Sequence, residues 1–300
     1  MPDWDPEVVV DEALARRLLA EQFPELAGAT VRRHASGWDN TVFAVDDRWA
    51  FRFPRRALAI PGVERELEHL PRLAAALPVL IPAPLRVGVP SPAFPWPFYG
   101  ARLLPGVEPT PAFDAAARNR LAAPLGRFLR ALHDLEVPAG LPHDPLGRVD
   151  MARRVPFATE RLAELAASGL ADHRAAARPV LDAARDLPPT RRRVLVHGDL
   201  HFRHVLVDGR GSNPLVGVID WGDLCLGDPA MDLHVAWSLL PVDARAAFWD
   251  AYGPIEPDQA LRARVVGVFL GAVLASYGAR EDLAGVRDEA LASIDRTLVD

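Results

Sequence analysis

Ten prolines fall between Pro78 and Pro111. A stretch that dense cannot run as a helix, because each ring removes a backbone donor and clashes with the preceding turn. It suits edge strands and an interdomain connection, and it divides the 300-residue chain into two unlike parts. Ahead of it lie three short β-type runs, Ala29–Ala35, Thr41–Asp46 and Arg48–Pro54. They are separated by Ser36-Gly37-Trp38-Asp39-Asn40 and by Asp46-Asp47, both turn chemistry. A helix is expected at about Val63–Leu77, with Leu67, Leu70, Leu73, Ala74 and Leu77 on one stripe. After Pro105-Gly106 the pattern turns mainly helical, over Ala115–Leu135, Met151–Ser168 and Arg174–Asp186. One strand-rich interruption covers Val194–Val207 and Leu215–Asp220. The fold class expected is α+β and bilobal: a small β-rich N-terminal lobe, 1–103, and a larger, mainly helical C-terminal lobe, 104–300, meeting near Leu103–Gly106.

All 34 cationic side chains are arginine. Without lysine there is no Walker-type phosphate lysine, no Schiff base and no pyridoxal anchor, since each needs an amine. Forty acids bring the net charge to −6, which argues against nucleic acid as a partner, because phosphate neutralisation needs a basic surface. Residues 223–300 hold 13 acids and 6 arginines, a net of −7 that fits a solvated helix surface and would also attract a cationic substrate. The single cysteine, Cys225, cannot make an internal disulfide and reads as structural. The chain starts acidic, without the basic, apolar pattern of an export signal. Its longest uncharged apolar-rich run, between Arg264 and Arg280, reads as too short and too glycine-broken for a membrane span. These features lead to the expectation of a soluble, cytoplasmic protein with no membrane partner. The sequence leaves the oligomeric state open.

Chemistry concentrates between Val194 and Leu233. A β-run, Val194-Leu195-Val196, ends in His197-Gly198-Asp199, and a second pair, Val205–Val207 and Val216–Ile219, ends in Asp220. Two carboxylates at strand ends near a Gly-rich turn suit a metal–nucleotide site. Phosphoryl transfer needs little more than cations for the developing charge and a carboxylate to orient the attacking hydroxyl and take its proton. The spacing matches the kinase catalytic loop, H-x-D followed five residues past the Asp by a metal ligand, here His204. Asp220 stands where protein kinases carry their metal-binding Asp. The same segment admits a zinc hydrolase, because His197, Asp199, His201 and His204 lie within eight residues. Against it, the histidines alternate with strand-like residues and no second ligand cluster stands elsewhere. A non-catalytic nucleotide-binding regulator would be expected to lack Asp199 or Asp220, and both are present. His133 reads as a packed core histidine, His201 as a neutral neighbour of the site, and Phe94–Tyr99 as packing near the hinge or a ligand wall.

HGDLH, VIDWGD and GDPAMDL together resemble the aminoglycoside phosphotransferase family of kinase-like antibiotic and small-metabolite kinases. In the first lobe, SGWDNTVFAVDDRWAFRFPRR is similar to that family's nucleotide-covering hairpin and third strand. The resemblance spans about residues 25–280 and implies a protein-kinase-like fold that transfers the γ-phosphoryl of ATP or GTP to a small-molecule hydroxyl. It implies Asp199 as catalytic base, Asp220 as a Mg²⁺ ligand, Asp228 and Asp232 as acids that fix the loop, and His197 as its brace. Backbone amides of the Ser36–Asn40 turn, at Ser36, Gly37 and Asn40, would cover the phosphates; by itself that turn is also an ordinary hairpin. Backbone around Tyr99–Leu104, including Tyr99 and Arg102, would hydrogen-bond the base.

Two departures from the family pattern stand out. His204 replaces the usual Asn, as in macrolide phosphotransferases and some aminoglycoside 2″-type enzymes, several of which favour GTP. Mg²⁺ prefers oxygen, so His204 would bind Mn²⁺ well, hold Mg²⁺ through water, or only pack. Arg52 stands in place of the phosphate-gripping lysine, and an arginine fork suits phosphate. Its glutamate partner is chosen by helix geometry: at 100° per residue Glu66 lies about 40° from the centre of the apolar stripe, whereas Glu64 and Glu68 lie roughly 120° and 160° away. An aminoglycoside is the first acceptor expected, a macrolide the second, and a housekeeping amino alcohol or sugar remains a third.

Overall fold

The structure is a computed structural model that describes residues 6–110, 113–208 and 213–299. The start of the chain, Pro111 and most of the Gly-rich turn near residue 210 lie outside the described residues. The chain divides into two compact units, residues 1–76 with 80–105 and residues 77–79 with 106–300.

The first unit is an antiparallel five-stranded sheet with two helices. Strands β1 (Val31–Ser36), β2 (Asn40–Val45), β3 (Trp49–Pro54), β4 (Arg86–Gly88) and β5 (Phe98–Arg102) run in the order β1-β2-β3-β5-β4. Alternation sends Phe43, Phe51 and Phe53 to the core, where Phe94 and Phe98 join them, Phe53 stacking on Phe98 at 4.5 Å. β4 and β5 come from the proline-dense stretch but hold no proline themselves; β4 occupies a sheet edge, as expected of that stretch, whereas β5 lies inside the sheet between β3 and β4. Helix α1 (Glu12–Gln22) starts at Asp11, whose side chain accepts from Leu14 N at 2.7 Å. It buries Ala15, Leu18 and Leu19 against the same core. Helix α2 (Ile60–Ala76) buries Val63, Glu66, His69, Leu70 and Leu73.

The second unit is mainly helical, with α3 (Ala115–His133), α4 (Met151–Ala167), α5 (Arg174–Ala184), α6 (Ala230–Leu233), α7 (Val235–Ser238), α8 (Arg245–Tyr252), α9 (Pro257–Arg280) and α10 (Ala284–Leu298). Two short antiparallel ladders interrupt it: β6 (Val194–Val196) with β9 (Cys225–Gly227), and β7 (Val205–Val207) with β8 (Leu215–Val218).

Helix α9 corrects the expectation for the Arg264–Arg280 run. The run belongs to a helix of 24 residues, long and apolar enough by length and composition to cross a membrane. Its glycines do not break it. A Cβ on Gly271 would stand 2.5 Å from Ile294, so the missing side chain lets α10 approach closely. Val265, Val266, Val268, Ala272 and Ala275 are buried, and α9 packs on α4, α5, α6 and α10. Within this structure α9 is the core helix of its unit.

Candidate active site

In the second unit, β6 ends in the buried Leu195 and Val196 and delivers His197-Gly198-Asp199. Gly198 has φ +88°, and a Cβ there would meet the Asp223 carbonyl at 2.4 Å, so only glycine fits. Gly198→Ala is expected to cost more than about 1 kcal/mol, because alanine is strained at positive φ, and to displace Asp199; thermal melting and turnover check both.

Buried groups lock this loop. Asp232 accepts from His197 N (2.8 Å) and Gly198 N (3.1 Å), and its Oδ2 lies 3.2 Å from His133 Nε2. Burial alone would raise its pKa, but the hydrogen bond and charge of His133 hold it below the ordinary range. The Asp232 carboxylate can only accept, so His133 Nε2 carries a proton, and Tyr252 OH completes the chain at Nδ1, 2.9 Å away. His133 is therefore a bonded link as well as a packed residue. His197 Nε2 donates to Ile219 O at 3.0 Å and its ring lies 4.7 Å from that of the fully buried Trp221. Asp228 accepts from Ala230 N at 2.8 Å and from the Thr190 hydroxyl, holding the turn into α6.

Burial keeps His197 and His234 neutral, each pushed down to about 4 from 6.5. The folded state then binds fewer protons than the unfolded chain below pH 6.5. The stability these groups contribute is complete above about pH 6.5 and is lost as pH falls toward 4. Melting temperature is expected to drop across that window. His234→Gln, which keeps a donor for the Leu200 carbonyl, is expected to flatten the slope.

Asp199, Asp220, His201 and His204 come together around a short 3₁₀ turn, Phe202–His204. His201 caps it, its Nδ1 accepting from Arg203 N at 3.3 Å. His204 Nδ1 lies 2.7 Å from the Asp199 carbonyl and must donate to it. In the neutral imidazole that leaves the lone pair on Nε2, which lies 3.4 Å from Asp220 Oδ2. Asp220 follows β8 with φ +65°, a left-handed conformation few non-glycine residues adopt and one met at functional sites. Burial and the Asp223 carboxylate raise the Asp199 pKa well above the ordinary carboxylate range, Arg148 opposes them, and Asp220 adds to the rise. Burial also keeps His201 neutral.

Arg148 and Asp223 are the residues that sequence reasoning did not single out as part of this cluster. Arg148 Nη2 lies 2.8 Å from Asp223 Oδ1, and its Nη1 lies 3.2 Å from Asp144 Oδ1. Burial alone would lower the arginine's pKa, but Asp223, Asp199 and Asp144 raise it, so it stays charged. Asp223 lies inside the VIDWGD run and could have been found there; Arg148 sits in an irregular loop without a periodic signal.

In the first unit, Gly37 N donates to Asn40 O at 2.9 Å, closing a tight turn from Ser36, the last residue of β1, to Asn40, the first of β2. Arg52, on β3, lies with Nε 3.4 Å from Glu66 Oε2 of α2. Glu66 is fully buried, whereas Glu64 and Glu68 are exposed. With its amide oxygen facing the guanidinium, Asn40 accepts from Arg52 Nε (3.2 Å) and Nη2 (3.0 Å). Tyr99 pairs with Arg52 in the β3–β5 ladder and packs on Val63, and the Arg102 guanidinium lies 4.4 Å from the Trp49 ring centre.

A sequence model of the phosphotransferase enzyme family matches residues 30–264. Among solved structures the chain is similar to the GDP and kanamycin complex of APH(2″)-IIIa, at 22% identity and a TM-score of 0.70, over 94% of this chain and 97% of that one. It is also similar to the apoenzyme of macrolide 2′-phosphotransferase MphH from Brachybacterium faecium, at 23% identity and a TM-score of 0.59, over 95% and 98%. The streptomycin–ATP–APH(2″)-IIa ternary complex is a third, at 19% identity and a TM-score of 0.57, over 98% and 100%. No curated protein matches it in sequence. At these identities the structures speak for the fold, which is kinase-like.

Proposed function

This chain belongs to the phosphotransferase enzyme family, and from that premise we propose that it moves the γ-phosphoryl group of ATP or GTP onto a hydroxyl of a small molecule, an aminoglycoside being the first choice, in the cytoplasm. The observation that carries the reading is the placement of His204. Its Nδ1–H is spent on the Asp199 carbonyl, and Nε2 stands 3.4 Å from the carboxylate of Asp220, where in the neutral ring it offers a lone pair. One nitrogen and one carboxylate oxygen, converging from two chain segments, fit a divalent cation: Mn²⁺ by preference, Mg²⁺ with water completing its oxygen shell. A metal ion held there would supply positive charge for the β- and γ-phosphates.

The residues of the chain do the rest. Asp199 accepts the proton of the acceptor hydroxyl as its oxygen bonds to the γ-phosphorus and the bond to the leaving nucleoside diphosphate breaks. Its raised pKa brings it nearer the working pH, which suits a general base. Arg52, aligned by Asn40 and Glu66, neutralises the phosphates as the absent lysine would, and backbone at Ser36, Gly37 and Asn40 covers them. Arg102 would meet the base through its backbone. It has the parity of Gly100, whose carbonyl accepts from Leu85 N, and the β4 ladder stops at that pair.

A cationic acceptor is favoured because residues 223–300 carry 13 acids and 6 arginines, a net of −7. A macrolide is the second reading, favoured by the likeness to MphH together with Arg52 and His204. Competition tests the order of preference: kanamycin is expected to suppress phosphorylation of a macrolide at equal concentration, and suppression only in the opposite direction would reverse it.

A further inference from the structure

We propose that Asp199, His201 and His204 form a second cation site, selective for a nitrogen-seeking divalent ion such as Zn²⁺, whose occupation takes His204 away from the nucleotide's metal. One ligand atom from each residue lies within 4.8 Å of the other two. Asp199 Oδ2 is 3.8 Å from both His201 Nε2 and His204 Nδ1. Ligands at tetrahedral zinc stand roughly 3.3–3.5 Å apart, so these two pairs close by about 0.4 Å and the His201–His204 pair, within 4.8 Å, by up to about 1.4 Å. Two imidazoles and one carboxylate are a donor set for zinc, and one that Mg²⁺, which seeks oxygen, does not prefer.

His201 caps the turn that ends in His204, and the two rings stack 3.9 Å apart at 30°, so one ring turns out of the stack to bring its in-plane lone pair to the same ion. Ligation requires each imidazole to exchange one hydrogen bond for a metal bond. His201 moves its proton to Nδ1 and gives up the long bond from Arg203 N, at 3.3 Å. His204 gives up its bond to the Asp199 carbonyl and carries its proton on Nε2, where the Asp220 carboxylate, 3.4 Å away, can accept it. This is the carboxylate–histidine–metal arrangement that orients and strengthens imidazole ligands. Three protein ligands leave a fourth position for water.

The two metals therefore compete for one imidazole, because the nucleotide's metal needs the Nε2 lone pair that the zinc form protonates. Zinc would also occupy Asp199. The competition rests on the proposed function; the zinc site itself does not.

The test uses the untagged, full-length protein with Zn²⁺ alone, titrated against a chromophoric chelator. One Zn²⁺ per chain is expected, and Co²⁺ in its place is expected to show the intense visible absorption of a tetrahedral ion. His201→Asn, and separately Asp199→Asn, are expected to weaken zinc binding by more than about tenfold, since even the outer partners of metal ligands are worth about 10–100-fold. Both variants are checked for cooperative melting. Absence of stoichiometric binding, or equal binding by folded His201→Asn, would overturn the site. With free Zn²⁺ fixed by a chelator buffer, affinity for Mg²⁺·ATP is expected to fall at least about tenfold on zinc saturation. Unchanged affinity would overturn the competition. Failure of ATP and GTP to bind zinc-free protein would count against the phosphotransferase reading, while the zinc titration decides the site on its own.

Discussion

Asp199→Asn is expected to lower kcat by about 10²–10⁴-fold, the range carried by a positioned general base, with nucleotide affinity nearly unchanged. Asparagine keeps the size of the side chain but cannot take the acceptor's proton. The loop that presents it is held through the backbone, by Asp232 on His197 and Gly198 and by His204 on the Asp199 carbonyl, and none of these bonds uses the Asp199 carboxylate. A loss confined to kcat therefore separates loss of the base from collapse of the loop. Unchanged turnover would remove Asp199 from the chemistry.

Arg52→Ala is expected to act on nucleotide binding and on stability together. The Arg52 side chain is 13% exposed and that of Glu66 is fully buried, so alanine leaves a carboxylate in the interior without its cation. Breaking a buried pair from one side costs about 3–5 kcal/mol. Nucleotide affinity is expected to fall at least about tenfold, the loss of one charge-assisted phosphate contact. Arg52→Lys restores the charge but not the planar fork that meets both Glu66 and Asn40, and is expected to fall between the two. Titration with a fluorescent nucleotide and thermal melting read the two effects apart. Normal affinity in a folded Arg52→Ala protein would sink the phosphate-clamp assignment.

What could be read from the sequence follows from the range over which each signal acts. Strand and helix positions came from local periodicity, and the observed elements lie within a few residues of those expected: β3 at Trp49–Pro54 and α3 at Ala115–His133. Helix geometry over a dozen residues was enough to place Glu66 inward among three glutamates. The motif run placed the residues whose backbone is set by strand ends and turns, Asp199, His204 and Asp220.

Other features depend on contacts between distant segments, which no periodicity carries. Tyr252 and His133 meet across 119 residues of sequence, and Arg148 finds Asp223 from an irregular loop. The glycines of α9 differ from expectation because glycine destabilises an isolated helix, while Gly271 lies against α10, whose packing offsets that loss. Helix α1 lies outside the elements expected above, although Asp11 and the spacing of Ala15, Leu18 and Leu19 announce it. Single prolines also differ from a dense run: Pro71, Pro124, Pro156 and Pro179 all lie inside helices.

The most direct measurement is metal-dependent transfer of labelled γ-phosphate from ATP and from GTP to a panel of aminoglycosides, macrolides and amino alcohols. Transfer to a hydroxyl of one of these classes, requiring Mg²⁺ or Mn²⁺ and lost in Asp199→Asn, is expected. Binding of neither nucleotide with either metal, or transfer that persists undiminished in Asp199→Asn, would contradict the assignment of this site.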